Sequence, residues 1–440
     1  MKKVFLLLLL IISTFIFSGC VNSKSYLKVG AYEKINVTYE DRRNEGYVEF
    51  LNKLSGFSSS LTSNVYDGYK EKDNLTISPI SIYMGLALAV EVTNGNSREE
   101  ILSALGMTYE EVATFTKYLY AFCNMEYTYN ASMITERTKV SAFELLTNSI
   151  WIDNNVSLKE EALEKLASNY NCNSYQVPFS SKPSTANGAI KDFVSDNTNG
   201  LINREFNFDK ETMFVLLNTF YLKEIWNEFG DELKFTKEEY DFLFENGTSK
   251  SLKLLMGKYS DGKAYEEEAF RHFFTTTEHN FKIKFIVPKD GYKLEDVFTF
   301  ENIMKVNTMK DYLYDDVINK EYNHTRVFFP EFKGKFDGDL KTILEERYSV
   351  KSMFNIKTSD FTSISDSPAF FTGMIHQTEI EVNRKGIEGS AITAFPGAGA
   401  PGPNEEYVDV YYDFIVDKSF GFILTDSYNT ILFSGVINNI

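Results

Sequence analysis

The segment Phe214–Leu222 (FVLLNTFYL) constrains the fold of this 440-residue chain most strongly. It is apolar at both odd and even positions, whereas a strand with one wet face alternates apolar and polar residues. It therefore predicts a central strand that other elements cover on both faces. Such a strand needs a large core. With 43% apolar residues, the chain has ample material for one and is far too apolar for a disordered protein.

Helix patterns come first along the chain. Apolar residues repeat at helical spacing from Phe50 to Leu61. The pairs Ser97–Glu100 and Ser157–Glu160 have the spacing of capping boxes, in which the two side chains satisfy backbone N–H groups at a helix start. Ser78-Pro79 predicts a further helix start, with serine as the N-cap and proline in the first turn.

Strand patterns dominate the second half. Phe281–Val287 alternates, Met374–Val382 has one apolar face and one acidic face, and Phe420–Leu424 with Thr430–Val436 predicts a closing hairpin. Helices followed by strands, with few βαβ units, predict an α+β fold with mainly antiparallel sheets. No break in composition and no repeat divides residues 45–440, so we expect a single domain there.

The N-terminus has the pattern of a secretion signal. Two lysines precede the apolar run Val4–Ile12, which is too short to span a bilayer comfortably. Small residues before Cys20 resemble the lipobox of bacterial lipoproteins, in which the cysteine is lipidated; an ordinary secretory signal is the alternative. We expect residues 1–19 to be a lipoprotein signal peptide and residues 20–44 to be the lipidated Cys20 and a flexible tether. The protein would then be secreted, membrane-anchored and exposed at the cell surface or to the extracellular space.

Composition excludes several classes of function. Acids outnumber bases by 62 to 45, giving a net charge of −17, which argues against a nucleic-acid partner. Three cysteines exclude a disulfide scaffold. Cys123 and Cys172 either pair or are buried thiols, the simpler interpretation. The four histidines lack metal-site spacing, and no nucleotide-binding or nucleophile motif occurs, so we expect no metal, no cofactor and no catalytic residue.

Residues Arg384–Pro403 form an unusual loop candidate. They follow a predicted strand and contain a single acid, Glu388, after a basic corner and before a run of small residues. If the segment were extended, Ile387, Gly389, Ala391, Thr393 and Phe395 would share one face, and none of them is charged. The segment could therefore become a strand whose inner face is buried without a charge.

Five segments in order resemble the serpin family and together cover about Tyr47 to Ile440. They are ISPISI (Ile77–Ile82), FVSDNTNGLI (Phe193–Ile202), FVLLNTFYLKEIWNEF (Phe214–Phe229), HQTEIEVNRKGIEGSAITA (His376–Ala394) and DFIVDKSFGFILTDSYNTILFSGVINN (Asp413–Asn439). The resemblance implies three mainly antiparallel sheets, about nine helices and an exposed reactive-centre loop at about residues 384–410. It also implies a monomeric protease inhibitor rather than an enzyme. The protease cuts the loop, and the loop then inserts into the large sheet as a new strand. A serine protease is the expected target, with a cysteine protease as the alternative.

The resemblance also implies roles for particular residues. The hinge and first inserted stretch would be Gly386, Ile387, Glu388, Gly389, Ser390, Ala391, Ile392 and Thr393. The polar shutter beneath the opening sheet would be Ser78, Ser81, Asn148, Asn218 and His376, which composition alone interprets as a hydrogen-bonded core network. Trp226 would lie at the breach, where insertion begins. Family spacing gives two sets of scissile-bond candidates, namely Ala398, Gly399 and Ala400, or Glu406 and Tyr407.

Two departures from the family pattern favour a different function. The loop is about six residues longer than family spacing implies. Pro396 lacks an N–H donor and would cost a ladder hydrogen bond in an inserted strand. Both features favour the alternative of a non-inhibitory serpin-fold protein that is a protease substrate or a binding module. The charge-free insertion face favours the inhibitor.

Overall fold

A computed structural model of the chain describes residues 23–31, 37–70, 74–124, 143–226, 233–259, 264–277, 280–308, 324–387 and 411–440. The predicted signal peptide, Cys20 and the loop residues 388–410 lie outside these ranges. The loop residues include the hinge candidates Glu388 to Thr393 and all the scissile-bond candidates. No helix among the described residues is long and apolar enough to cross a membrane.

The described residues contain ten α-helices and two short 3₁₀ helices. The α-helices are α1 (Tyr39–Arg42), α2 (Glu45–Tyr69), α3 (Pro79–Val92), α4 (Gly95–Leu105), α5 (Tyr109–Cys123), α6 (Glu160–Tyr170), α7 (Pro183–Asn197), α8 (Leu294–Val297), α9 (Phe300–Thr308) and α10 (Lys341–Arg347). The 3₁₀ helices are η1 (Ser23–Tyr26) and η2 (Ser352–Phe354).

Nineteen strands form the sheets of the described residues. They are β1 (Leu27–Val29), β2 (Asn74–Ile77), β3 (Phe143–Asp153), β4 (Cys172–Val177), β5 (Phe214–Ile225), β6 (Lys234–Phe235), β7 (Tyr240–Leu243), β8 (Ser249–Leu252), β9 (Leu255–Tyr259), β10 (Ala264–Glu266), β11 (Phe270–Thr276), β12 (Lys282–Pro288), β13 (His324–Phe329), β14 (Phe332–Asp339), β15 (Ile375–Asn383), β16 (Gly386–Ile387), β17 (Tyr411–Ile415), β18 (Phe420–Thr425) and β19 (Ile431–Ile437). The largest sheet has seven strands in the order β1-β4-β3-β5-β16-β15-β14. A six-stranded sheet has the order β10-β11-β12-β18-β19-β2, and a four-stranded sheet has the order β17-β13-β9-β6. A separate hairpin pairs β7 with β8.

Strand β5 lies at the centre of the seven-stranded sheet, as its apolar sequence predicts. Phe214, Phe220 and Leu222 on one face join the main hydrophobic core, where α3 packs against the strand. Val215 and Leu217 on the other face join a second core built largely from α7. Because each face of β5 has its own apolar partner, the strand has no polar face. The alternating strand β15 and the closing hairpin β18–β19 are also confirmed.

Helix α3 begins as its sequence predicts, whereas two other predicted helix starts are wrong. Ser78 is the N-cap of α3, its Oγ accepts from the N–H of Ser81, and a proline follows at the first helical position. The predicted capping serines Ser97 and Ser157 cap no helix. Helix α4 has Asn94 as its N-cap, and α6 has Lys159.

These side chains and backbone groups bind distant parts of the chain instead. The Oγ of Ser97 accepts from the N–H of Asp360, and Glu100 accepts from the N–H and hydroxyl of Ser352. The backbone carbonyl of Ser157 accepts from the hydroxyl of Ser365. Capping boxes are local interactions, and in this fold long-range partners take their place.

The described parts of residues 23–44 pack on the domain, which differs from the expectation of a tether. Strand β1 pairs with β4 at the outer edge of the seven-stranded sheet. At the end of α1, the guanidinium of Arg42 stacks 4.0 Å from the ring centre of Phe122 and 4.1 Å from that of Tyr428. The polar sequence of this segment gave no sign of either contact.

Cys123 and Cys172 are both buried and form no disulfide with each other. Burial raises the pKa of the Cys172 thiol far above its ordinary value. Of the two interpretations that the sequence left open, buried thiols are the correct one.

Candidate functional site

The seven-stranded sheet is incomplete between β5 and β15. Strand β16 occupies only one end of the gap, where Gly386 pairs with Ile225 and Asn383, and Ile387 pairs with Glu224 and Val382. Among the described residues, no ladder links β5 to β15 beyond this point. We call the gap from Ile387 to the far ends of β5 and β15 the slot. Its backbone edges could pair with an additional strand.

The far half of the slot contains a cavity of about 100 Å³. Its lining includes Ile82 of α3, Phe206, Asn218 of β5, Met353, Met374 and His376 of β15. The walls are thus apolar with a few polar groups from opposite sides. A strand with small, uncharged residues on its inner face suits such a space.

Gly386 and Ile387, the first two hinge candidates, lie inside the sheet. A Cβ atom at Gly386 would overlap the carbonyl oxygen of Glu224, so only glycine allows this approach to β5. The Ile387 side chain is 1% exposed and belongs to the main core. The inner face of the candidate insertion strand therefore begins in the core.

Trp226 lies at the end of the slot where β16 enters. Its ring is 1% exposed and its Nε1–H donates to the carbonyl oxygen of Asn383 over 2.8 Å. The ring packs edge-to-face on Phe329, with 5.5 Å between centroids. Trp226 therefore fixes the last residue of β15, directly before the turn into β16.

Glu331 also holds this turn, and our sequence analysis did not identify it. Its Oε1 accepts from the backbone N–H of Arg384 over 2.9 Å, and the N–H of Leu233 donates to the carbonyl of Arg384 over 2.7 Å. Glu331 follows Pro330, between β13 and β14. An acid at the junction of two strands was the only feature of the sequence that could have indicated this role.

On the β15 side of the slot, His376 is buried and neutral. The backbone N–H of Ser78 donates to its Nε2 over 3.1 Å. Burial lowers its pKa to about 3, because no solvent stabilises the charged imidazolium. Since a backbone N–H occupies Nε2, that nitrogen does not accept from a serine hydroxyl as a catalytic base would. Ser81 lies one turn along α3 and also lines the cavity.

On the β5 side, two asparagines form a separate polar chain. The side-chain amide of Asn218 donates to Oδ1 of Asn148 over 2.7 Å, and the amide of Asn148 donates to the carbonyl of Tyr170 over 2.7 Å. Within the described part of the chain, Oδ1 of Asn218 is buried and has no hydrogen-bond partner. The five polar residues identified in the sequence thus flank the slot as two groups, and one acceptor is unsatisfied between them.

The two strand edges of the site suit the addition of a further strand. In the described ranges, no group of three or more His, Cys, Asp and Glu side chains could hold a metal ion. The side chains of His279 and His324 lie outside them. Within the described residues, the site presents two strand edges that no described ladder joins, an apolar floor, and the polar side chains of Asn218 and His376 on opposite sides.

The family model described as Serpin (serine protease inhibitor) matches residues 52–440, and the chain therefore belongs to the serpin family. The ten α-helices and the seven- and six-stranded sheets of its described residues are those of the α+β serpin fold. Serpins are for the most part protease inhibitors rather than enzymes.

Relatives of this chain are distant but nearly full-length. An uncharacterized serpin-like protein of Methanosarcina acetivorans is 24% identical over 87% of this chain and 85% of its own length. Human neuroserpin is 24% identical over 86% of this chain and 89% of its own length. Among solved structures, the thermophilic serpin tengpin in its native state superposes with a TM-score of 0.71 at 20% identity, covering 94% of this chain and 98% of tengpin. Thyroxine-binding globulin in complex with thyroxine gives 0.70 at 18% identity, covering 89% and 99%.

Proposed function

We propose that this protein inhibits proteases as a suicide substrate, by cleavage of its reactive-centre loop and insertion of that loop into the slot. The observation that carries the proposal is β16, which already adds the first two loop residues to the sheet between β5 and β15. Completing the strand would extend the ladders of β16 along β5 and β15 and bury apolar surface. The inhibitor then needs no catalytic group.

Extending the register of β16 assigns a place to each loop residue. Ile387 faces the main core, so Gly389, Ala391, Thr393 and Phe395 would follow it on that face. Thr393 would lie opposite both Asn218 and His376. Its hydroxyl could then donate a hydrogen bond to Oδ1 of Asn218, which has no partner among the described residues.

The length of β5 sets how far the loop could travel. β5 has 12 residues, and the extended register would bring residues 386–397 alongside them. Eleven rises of strand correspond to about 36 Å. A protease joined to the loop as an acyl-enzyme would be carried this distance, from the hinge end of the sheet to its far end. We propose that this displacement deforms the protease and stalls its release.

A second candidate function rests on Pro396, namely a serpin that is only cut as a substrate or that binds a partner. The register would place Pro396 opposite Val215, the second residue of β5, and beyond the first residue of β15, Ile375. Its missing donor would therefore cost a hydrogen bond at the last rungs of the slot rather than in the middle. This position of Pro396 favours the inhibitory function. The longer loop favours the substrate or binding function.

We further propose that the protein works at the cell surface, attached through lipid on Cys20. The support is the sequence pattern of the first twenty residues, with two lysines, a short apolar run and small residues before the cysteine. A surface inhibitor would meet proteases from the medium.

The experiment that tests the inhibitory proposal uses residues 22–440 mixed with elastase, subtilisin, trypsin, chymotrypsin, a glutamyl endopeptidase and a papain-type enzyme. Denaturing gels and mass spectrometry of the released C-terminal fragment are the readouts. We expect a boil-resistant band at the summed mass, and the first residue of the fragment would identify the scissile bond. Loop cleavage by every enzyme with no such band would instead favour the substrate or binding function.

A further inference from the structure

Residues 23–31, which we call the N-terminal arm, are docked on the domain by several independent contacts. Strand β1 pairs antiparallel with β4, and the N–H of Ala31 donates to Oδ1 of Asn173 over 2.9 Å. Tyr26 packs against the second core beside α7, and Val29 packs against the main core. The arm is therefore an added edge strand of the seven-stranded sheet.

The arm lies at the end of the sheet opposite the hinge. Leu27 pairs with Tyr175, Tyr175 with Trp151, and Trp151 with Val215, so β1 is level with the start of β5. Gly386 is level with Ile225, at the other end of β5. The ten strand rises from Val215 to Ile225 separate the two levels by about 33 Å. Perpendicular to the strands, β1 and β5 are three strand spacings apart, which is about 14 Å.

Docking of the arm shortens the link to any lipid on Cys20. Three Cα–Cα steps separate Cys20 from Ser23, so the two Cα atoms are at most about 11 Å apart. If residues 20–44 were entirely free, the link from Cys20 to the domain would have a root-mean-square length of about 27 Å. In addition, acids outnumber bases in the chain by 62 to 45, and this negative charge repels the domain from an anionic leaflet.

We propose that the docked arm orients the domain on the membrane, so that the hinge end of the seven-stranded sheet points away from the lipid. This inference rests on the proposed lipid attachment at Cys20. The reactive-centre loop then faces the medium, so the partners that this geometry suits are soluble proteases rather than neighbours in the same bilayer. If the loop inserts as proposed, a trapped protease is carried toward the lipid.

Two exposed lysines at opposite ends of the sheet allow a direct test. Lys210 lies four residues before β5, and Lys234 follows Leu233, whose N–H donates to Arg384 beside the hinge. In two separate variants, an azide-bearing amino acid would replace Lys210 or Lys234 and would carry a donor dye. Residues 20–440 would be coupled through Cys20 to maleimide lipid in vesicles with 20% anionic lipid that contain an acceptor-labelled lipid. Cys123 and Cys172 are buried and would not compete.

We expect energy transfer from position 210 to exceed that from position 234 at least about threefold, because the two levels differ by about 33 Å. The variant Val29→Asp should release the arm and bring the ratio toward one. Leu27→Asp places the same charge on a neighbour that is 45% exposed, and it should keep the wild-type ratio. A Val29→Cys/Ser174→Cys disulfide would lock the arm and preserve the ratio. Equal transfer from both positions in the wild type and in the locked variant would overturn the proposal.

A labelled protease separates this inference from the inhibitory function. A protease that forms the covalent complex on gels should show increased transfer to the lipid after trapping, while its inactive serine variant should not. A covalent complex without that increase contradicts the proposed orientation. If no protease forms a complex, the inhibitory proposal fails, and the comparison of positions 210 and 234 still decides the orientation.

Discussion

The most direct perturbation of the proposed insertion is a single charge on the inner face of the loop. The register places Thr393 between Asn218 and His376, in surroundings that hold His376 neutral with a pKa of about 3. Thr393→Arg would carry an unpaired cation into this site, at a cost of at least about 3 kcal/mol. Such a cost alters an equilibrium more than about a hundredfold. Ile392→Arg is the matched control, because residue 392 would lie on the opposite face from the main core, beside Gln377 of β15, where the arginine can reach the exposed carboxylate of Asp337.

The assay needs no knowledge of the natural target. Each variant is cleaved in its loop by subtilisin or elastase, the cut is located by mass spectrometry, and thermal unfolding is recorded before and after cleavage. We expect cleavage to stabilise the wild type and Ile392→Arg strongly, and Thr393→Arg much less. Equal stabilisation of all three would refute the register, and equal loss in both arginine variants would refute the assignment of faces.

Three further predictions concern described residues. The folded pKa of His376 is about 3 and the unfolded value about 6.5, so its contribution to stability is full above pH 6.5 and is lost as the pH falls toward 3. Urea unfolding should show that the wild type loses about 2 kcal/mol more than His376→Gln between pH 7 and pH 5, and equal losses would contradict the burial of a neutral imidazole. Gly386→Ala should expel β16 because its Cβ would overlap the backbone of β5, so hydrogen exchange there should accelerate, whereas Lys385→Ala should leave it unchanged. Cys123 and Cys172 should react with maleimide only after denaturation, and labelling of the native protein would show that they are accessible.

The organisation of the slot suits the insertion that we propose. The two walls are joined at the hinge end, because Trp226, the residue after β5, donates to Asn383 of β15. Away from that end they are held separately, β15 through Ser78 and β5 through Asn148. No hydrogen bond of the described residues links Asn218 to His376 across the gap. A strand that entered there as we propose would not have to break a hydrogen bond between these two side chains.

The sequence by itself determined the features that follow from periodicity. Apolar residues at every position of β5 required cover on both faces, and alternation in β15 required one buried face, because side-chain direction in a strand has a fixed period of two. The start at Ser78-Pro79 followed from local backbone needs. The hinge glycine and the charge-free face after it were also visible in the sequence.

Only the tertiary structure decided which partner each polar group takes. Ser97 and Glu100 have the spacing of a capping box, yet they bind Asp360 and Ser352, which are more than 250 residues away. Likewise, the polar residues 23–31 carry no periodicity, yet β1 completes an edge of the largest sheet. The physical reason is that backbone and hydroxyl groups accept any well-placed partner. Periodicity places a residue on a face, but only the assembled fold brings distant groups within hydrogen-bonding distance of each other.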